Sequence, residues 1–249
     1  MNKRVRTSGI YKRSVTAMLV IASMMLGLLA PIGLQSAVAQ DSASIQTRVQ
    51  IMHASPDLGK VEVAINYDTK LDEFTYGKVS DWIDIQPGSN RVTITEDRAG
   101  FNYAVFDAMY PVPAGNDYYL VISDALVLTS VVDRSPVRDG MARVRVVQAS
   151  VDLPTVNVKA AGQDVTFGTK LEYARPSEYT TVPAGTYDVE VTLADSGTSV
   201  LTMPGISLEG NKVYELVIIG QPDQTDHPLE IKKLEDTTTE QGGVATPSS

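Results

Sequence analysis

The chain has 249 residues, with 21 basic against 30 acidic side chains, a net charge of −9, 43% apolar residues and no cysteine. Without cysteine there can be no disulfide, thiolate metal site or lipid-modified cysteine, and the acidic balance makes nucleic acid and anionic lipid poor partners. Stability has to come from core burial, for which the chain is long enough to build one large domain or two ordinary ones.

The first 39 residues read as a targeting segment. Lys3, Arg4, Arg6, Lys12 and Arg13 precede the apolar run AMLVIASMMLGLLA of residues 17–30. Pro31 and Gly33 then break any helix, and Ala37-Val38-Ala39 has the small-x-small form of a signal-peptidase site. The pattern predicts a signal peptide over 1–39, cut before Gln40. A retained anchor needs about 20 apolar residues, so no membrane span is expected after cleavage. Removing the segment takes five basic residues and no acidic ones, so the net charge moves from −9 to −14. An extracytoplasmic location follows: secreted, cell-surface or periplasmic.

The rest of the chain repeats itself. Between residues 48–63 and 143–158, eight of 16 positions are identical, among them Arg48/Arg143, Ala54/Ala149, Ser55/Ser150, Asp57/Asp152 and Leu58/Leu153, where chance gives about one. "SDWIDIQPG" from Ser80 matches "SEYTTVPAG" from Ser177 at an offset of 97, and "GNDYYLVI" from Gly115 matches "GNKVYELV" from Gly210 at an offset of 95. Each copy is long enough to hold its own core.

In the first copy Val49 and Ile51, then Val61, Val63 and Ile65, then Val92 and Ile94 alternate at period two; Val144 and Val146, then Tyr187, Val189, Val191 and Leu193 do so in the second. Pro56-Asp57, Pro87-Gly88, Pro113-Ala114-Gly115, Pro183-Ala184-Gly185 and Asp195-Ser196-Gly197 separate these half-buried strands. The pattern predicts an all-β chain of two tandem Ig-like or transthyretin-like β-sandwich domains, at 44–135 and 140–234. Asp133-Arg134-Ser135-Pro136 marks the junction, and a polar tail at 235–249 is expected to be disordered.

The repeated "HASPD" and "QASVD" turns pose the main functional question. Ser and Asp suit a turn because their side chains accept hydrogen bonds from nearby backbone N–H groups, and one aspartate per copy is too few for calcium, which takes 6–8 oxygen ligands. His53 corresponds to Gln148, which can hydrogen-bond from the same place but cannot shuttle a proton near neutral pH, so a hydrogen-bonding edge role is favoured over a general base or ligand. His227 has Asp223 and Asp226 near it in a proline-flanked stretch, without the spacing of a metal site. No nucleophile elbow, phosphate loop or zinc-protease motif occurs. No catalytic residue, metal ligand or cofactor is therefore assigned, and the chain is expected not to be an enzyme. Trp82, the single tryptophan, aligns with Tyr179. The stretch 68–76 is acidic and aromatic where the second copy is plain, so Asp68, Asp72, Glu73, Phe74, Tyr76 and Trp82 are the candidate ligand contacts.

At "VQIMHASPD" followed by "VEVAIN", at "YGKVSDWIDIQPG" and at "TFGTKLEYARPSEYTTVPAGTYDVEV" the sequence resembles the bacterial and archaeal domain-of-unknown-function family DUF4397. The second copy lacks the His and Pro of the turn, and the first has Gln86-Pro87-Gly88 for Pro-Ala-Gly. The resemblance implies an exported, surface-associated β-sandwich, often in tandem, and carries no activity or catalytic residue. The expected role is non-enzymatic, binding or structural and adhesive, toward a surface polysaccharide or protein. A secreted carboxylate hydrolase and a calcium-stabilised adhesin are the alternatives.

Overall fold

Alternating apolar residues and short turns do produce strands throughout the computed structural model, which describes residues 47–124 and 126–236. The signal-peptide expectation and all but two residues of the expected tail lie outside that range. The first repeat holds β1 (Thr47–His53), β2 (Val61–Ile65), β3 (Asp68–Phe74), β4 (Ile83–Ile85), β5 (Gly88–Arg98), β6 (Phe101–Val112), β7 (Asp117–Ser123) and β8 (Leu126–Val131). The second holds β9 (Met141–Gln148), β10 (Val156–Ala160), β11 (Thr166–Leu171), β12 (Thr180–Pro183), β13 (Gly185–Leu193), β14 (Ser199–Leu208), β15 (Val213–Ile219) and β16 (Glu230–Asp236). The described residues contain no helix, and none of their elements is a helix long and apolar enough to cross a membrane.

The two repeats share one topology. Each is a sandwich of two four-stranded sheets: orders β4-β1-β7-β8 and β3-β2-β5-β6 in the first, β12-β9-β15-β16 and β11-β10-β13-β14 in the second. Neighbours are antiparallel except β1 with β7 and β9 with β15, which run parallel. The predicted period-two residues meet inside each sandwich. Val49, Ile51, Val61, Val63, Ile65, Val92 and Ile94 form one core, and Val144, Val146, Tyr187, Val189 and Val191 belong to the other.

The strand registers correct one sequence match. Arg48 pairs with Asp117, whereas its counterpart Arg143 pairs with Val213. The offset in the β7/β15 pair is therefore 96, because the second copy carries one extra residue after Asn211. Tyr118 then corresponds to Tyr214, and both enter their own sandwich core. Tyr119 corresponds to Glu215.

Strands β7 and β15 lie outside those alternating stretches, and every residue of both is buried. Their opposite faces meet. Met52, Ala54, Tyr119 and Val121 of the first repeat share a third apolar cluster with Val147, Ala149, Val213, Val217 and Ile219 of the second. The sheets of β1 and β9 thus lie against each other, with the sheets of β2 and β10 outside them, giving four layers and three cores. Continuous apolar runs such as DYYLVIS and VYELVII are what strands covered on both faces require. Strand β16 continues to Asp236, whose side chain is buried, so ordered chain extends two residues past the expected boundary at 234.

Candidate functional site

The repeated turns lie at one end of the contact between the repeats and act as scaffold. His53 is fully buried rather than at an edge; its Nε2–H donates to the Gly59 carbonyl at 3.0 Å, closing the turn. Gln148 does the same from Nε2 to the Leu153 carbonyl at 2.7 Å. A carbonyl only accepts, so Nε2 carries the proton, and burial pushes the His53 pKa down, which keeps the ring neutral. The repeated alanines are small because they sit between the sheets: Ala54 N–H donates to the Ile122 carbonyl at 2.7 Å and Ala149 N–H to the Ile218 carbonyl at 2.9 Å. Ser80 and Ser177 are also matched, accepting from the N–H groups of Ile51 and Val146 at 2.9 Å.

The two turn aspartates remain exposed. Asp124, in the tight turn after β7, takes a hydrogen bond from Ser55 Oγ at 3.1 Å. Its pKa is raised by burial and by the nearby charges of Asp57 and Asp152, so carboxylates of both repeats approach one another here. Even so, among the described residues no group of three or more His, Cys, Asp or Glu side chains is arranged to hold a metal ion. His227 is instead spent on packing, its ring 4.4 Å from that of Tyr76.

Charged groups fill the other part of the contact. Arg145 Nε donates to Glu215 Oε2 at 2.6 Å, Ser130 Oγ of the first repeat donates to the same oxygen at 2.8 Å, and the guanidinium lies 4.6 Å from the Tyr179 ring centre. Burial raises the Glu215 pKa against the pull of Arg145. Asp117, buried in the first repeat, is gripped by Arg48 and Arg134. Arg48 also stands 3.6 Å from Asp236 and lies over Trp82 at 4.8 Å. The buried carboxylates thus form two groups, Asp117 and Asp236 facing Arg48 and Arg134, and Glu215 facing Arg145; the Arg48–Asp236 pair ties the first strand of one repeat to the last strand of the other.

The six candidate contacts do not form one site. Asp68, Asp72, Glu73 and Phe74 lie on β3, an edge strand rather than a loop; the first three are exposed, and Phe74 is a core residue. Glu73 has a φ of 47° at an irregularity in the β2–β3 pairing, as Lys170 has 50° at the same place in β11, and it pairs with Lys60 at 2.9 Å. Tyr76 and Trp82 are half-buried against the inter-repeat cluster. Trp82 packs 5.4 Å from Tyr119, and burial beside Glu230 pushes the Tyr76 phenol up to about 12. A groove of about 510 Å³ opens between β11 and β12, lined by Lys170, Glu172, Arg175 and Glu178 among others; Glu172 and Arg175 neutralise each other there at 3.1 Å.

Sequence reading missed the most exposed aromatic residue. Tyr67 is 81% exposed and occupies the second position of the β2–β3 hairpin turn, with Asn66 and Tyr67 at φ 53° and 67°. Such a turn favours Asn followed by Gly, and a side chain in the left-handed region costs about 1–2 kcal/mol. Ninety-five residues on, the second repeat has Gly162, at φ 71° within the longer connection of residues 161–165. The two-residue gap between VEVAI and DTKLDEF was the available signal.

The family model for "Domain of unknown function (DUF4397)" matches twice, over residues 47–159 and 142–245. No functionally curated protein matches. Among solved structures, a leucine-rich repeat protein from Bacteroides thetaiotaomicron aligns at 15% identity and TM-score 0.20, covering 69% of this chain and 26% of that one. The tip fimbrial protein of Porphyromonas gingivalis, truncated at its C-terminus, aligns at 9% identity and TM-score 0.22, covering 76% of this chain and 99% of its own. The chain therefore spans about a quarter of the first structure, and likenesses this distant carry no argument about role.

Proposed function

The chain belongs to the DUF4397 family, and from that premise we propose that it is an exported, non-enzymatic protein whose two sandwiches work as one stiff extracytoplasmic module that holds or binds surface material. The observation that carries this reading is the buried contact between the repeats. A flexible tether needs only a linker, whereas here an apolar cluster and the side chains of Asp117, Arg145, Glu215 and Asp236 are withdrawn from water where the repeats meet. Polar networks of this kind specify an arrangement more than they stabilise it. Export is supported by the basic, apolar and small-x-small succession of residues 1–39. The charged candidates Asp72 and Glu73 stand in solvent on an edge strand, and Glu73 is paired with Lys60 at 2.9 Å.

Cell fractionation with N-terminal sequencing tests the proposal. A chain starting at Gln40 in the extracytoplasmic fraction is the expected result; an uncleaved cytoplasmic chain would overturn it. Melting with calcium and with chelator should give the same midpoint, and a calcium-dependent rise would favour the adhesin reading instead.

A further inference from the structure

Resting on the surface-binding reading above, we infer that the outer face of the β3-β2-β5-β6 sheet binds a neutral polysaccharide, with Tyr67 as the platform on which one sugar ring stacks. The turn that presents Tyr67 is fixed on both sides. Asn66 N–H donates to the Arg91 carbonyl at 2.9 Å, Asn66 Oδ1 accepts from Arg91 N–H at 2.9 Å, and Asn66 Nδ2 donates to Asn90 Oδ1 at 2.7 Å. The ring is fixed as well. The Arg91 guanidinium lies 5.0 Å from the ring centre and donates to the phenol oxygen, while its Nε donates to Asp107 Oδ1 at 2.6 Å and its other arm to Asp107 Oδ2.

An aromatic ring that is 81% exposed yet held at its backbone, its face and its hydroxyl is preorganised in a way that folding does not need. The second repeat joins its corresponding strands by a longer connection, residues 161–165, and has none of the three: Gly162, Asp188 and Thr202 stand in place of Tyr67, Arg91 and Asp107. Val92 and Ile94 point into the core, so Arg91 and Thr93 of β5, and Asp107 and Met109 opposite them on β6, share the outward face with Tyr67.

The chemistry selects the ligand. A pyranose ring offers a face of polarised C–H groups to an aromatic ring and hydroxyls to a guanidinium–carboxylate pair beside it. With a net charge of −14 after loss of residues 1–39, the protein repels polyanions, which leaves neutral glycans. A single open platform binds one ring weakly, and a polymer offers the repeated engagement that makes such a surface useful.

Affinity electrophoresis of the purified protein through gels containing dextran, galactomannan, xylan or β-1,3-glucan tests this, with polygalacturonate as the acidic comparator. Retardation is expected in at least one neutral gel, weakened tenfold or more by Tyr67→Ala and by Tyr67→Gly. Glycine suits the φ of 67° at this position and completes the Asn-Gly pair that such a turn favours, so the variant keeps the hairpin and separates lost binding from lost folding. Tyr103→Ala, at an exposed aromatic on β6 away from the turn, should leave retardation unchanged. No retardation in any neutral gel, retardation by polygalacturonate alone, or unchanged retardation of Tyr67→Gly would each overturn the inference. An exported chain that fails these gels sinks this site and leaves the stiff-module reading standing.

Discussion

Removing Glu215 should cost far more than removing Glu215 and Arg145 together. Glu215 is fully buried, with Oε2 receiving Arg145 Nε at 2.6 Å and Ser130 Oγ at 2.8 Å, and the Arg145 side chain is 8% exposed. Glu215→Leu strands a guanidinium between two sheets, and loss of one partner of a buried pair costs about 3–5 kcal/mol. For a body of this size each kcal/mol moves the midpoint by about 2–4 °C, so the single variant should melt about 6–20 °C lower. Arg145→Met should fall similarly, because it leaves a buried carboxylate facing Ser130. The double variant replaces the pair with apolar groups of similar volume, an exchange that is often neutral or stabilising by about 1–4 kcal/mol. The assay is thermal or urea unfolding of the four proteins as a double-mutant cycle. Additive losses, with the double variant the least stable of all, would refute the idea that the pair is a positional device whose desolvation offsets its attraction.

Three further variants probe the turns. Burial lowers the His53 pKa below the ordinary 6.5, so the unfolded chain binds a proton that the folded one refuses; this contribution is present above about pH 6.5 and is lost as pH falls toward the folded value. His53→Gln copies Gln148 and keeps the donor, so the drop in melting midpoint between pH 7.5 and 5 should shrink; an unchanged drop would place the acid sensitivity elsewhere, Glu96 being the charged neighbour that otherwise favours the protonated ring. Gly220→Ala should cost about 3 kcal/mol or more, since φ is +88° and the new Cβ would meet the Pro228 carbonyl oxygen at 2.2 Å. Gly140→Ala, at φ +70° with nothing within 4 Å, should cost only about 1 kcal/mol by urea denaturation.

Strands and repeats were legible because period two is a local signal: Val61, Val63 and Ile65 announce their core face without reference to anything distant. The stacking of the two sandwiches was not read, although its trace was present. Tyr119, Val121 and Val217 look like ordinary members of an apolar run until one asks why the alternate positions are apolar too. The ion network had less of a trace, since Arg48 and Asp236 are separated by nearly the whole described chain and meet only through the fold. Trp82 and Tyr76 drew attention as aromatic residues, and their burial against the other repeat depends on a contact no local pattern encodes. Tyr67 was overlooked for the opposite reason: its interest lies in a backbone conformation that the residue type disfavours.

The central claim is that the repeats are one body, and differential scanning calorimetry tests it most directly. Two sandwiches joined by a linker melt in two transitions, or in one whose calorimetric enthalpy is about twice the van't Hoff value. Two sandwiches sharing Met52, Tyr119, Val147 and Val217 in a buried contact should melt in a single transition with the two enthalpies equal. Separate transitions, with the midpoint of one unmoved by Glu215→Leu, would contradict the account.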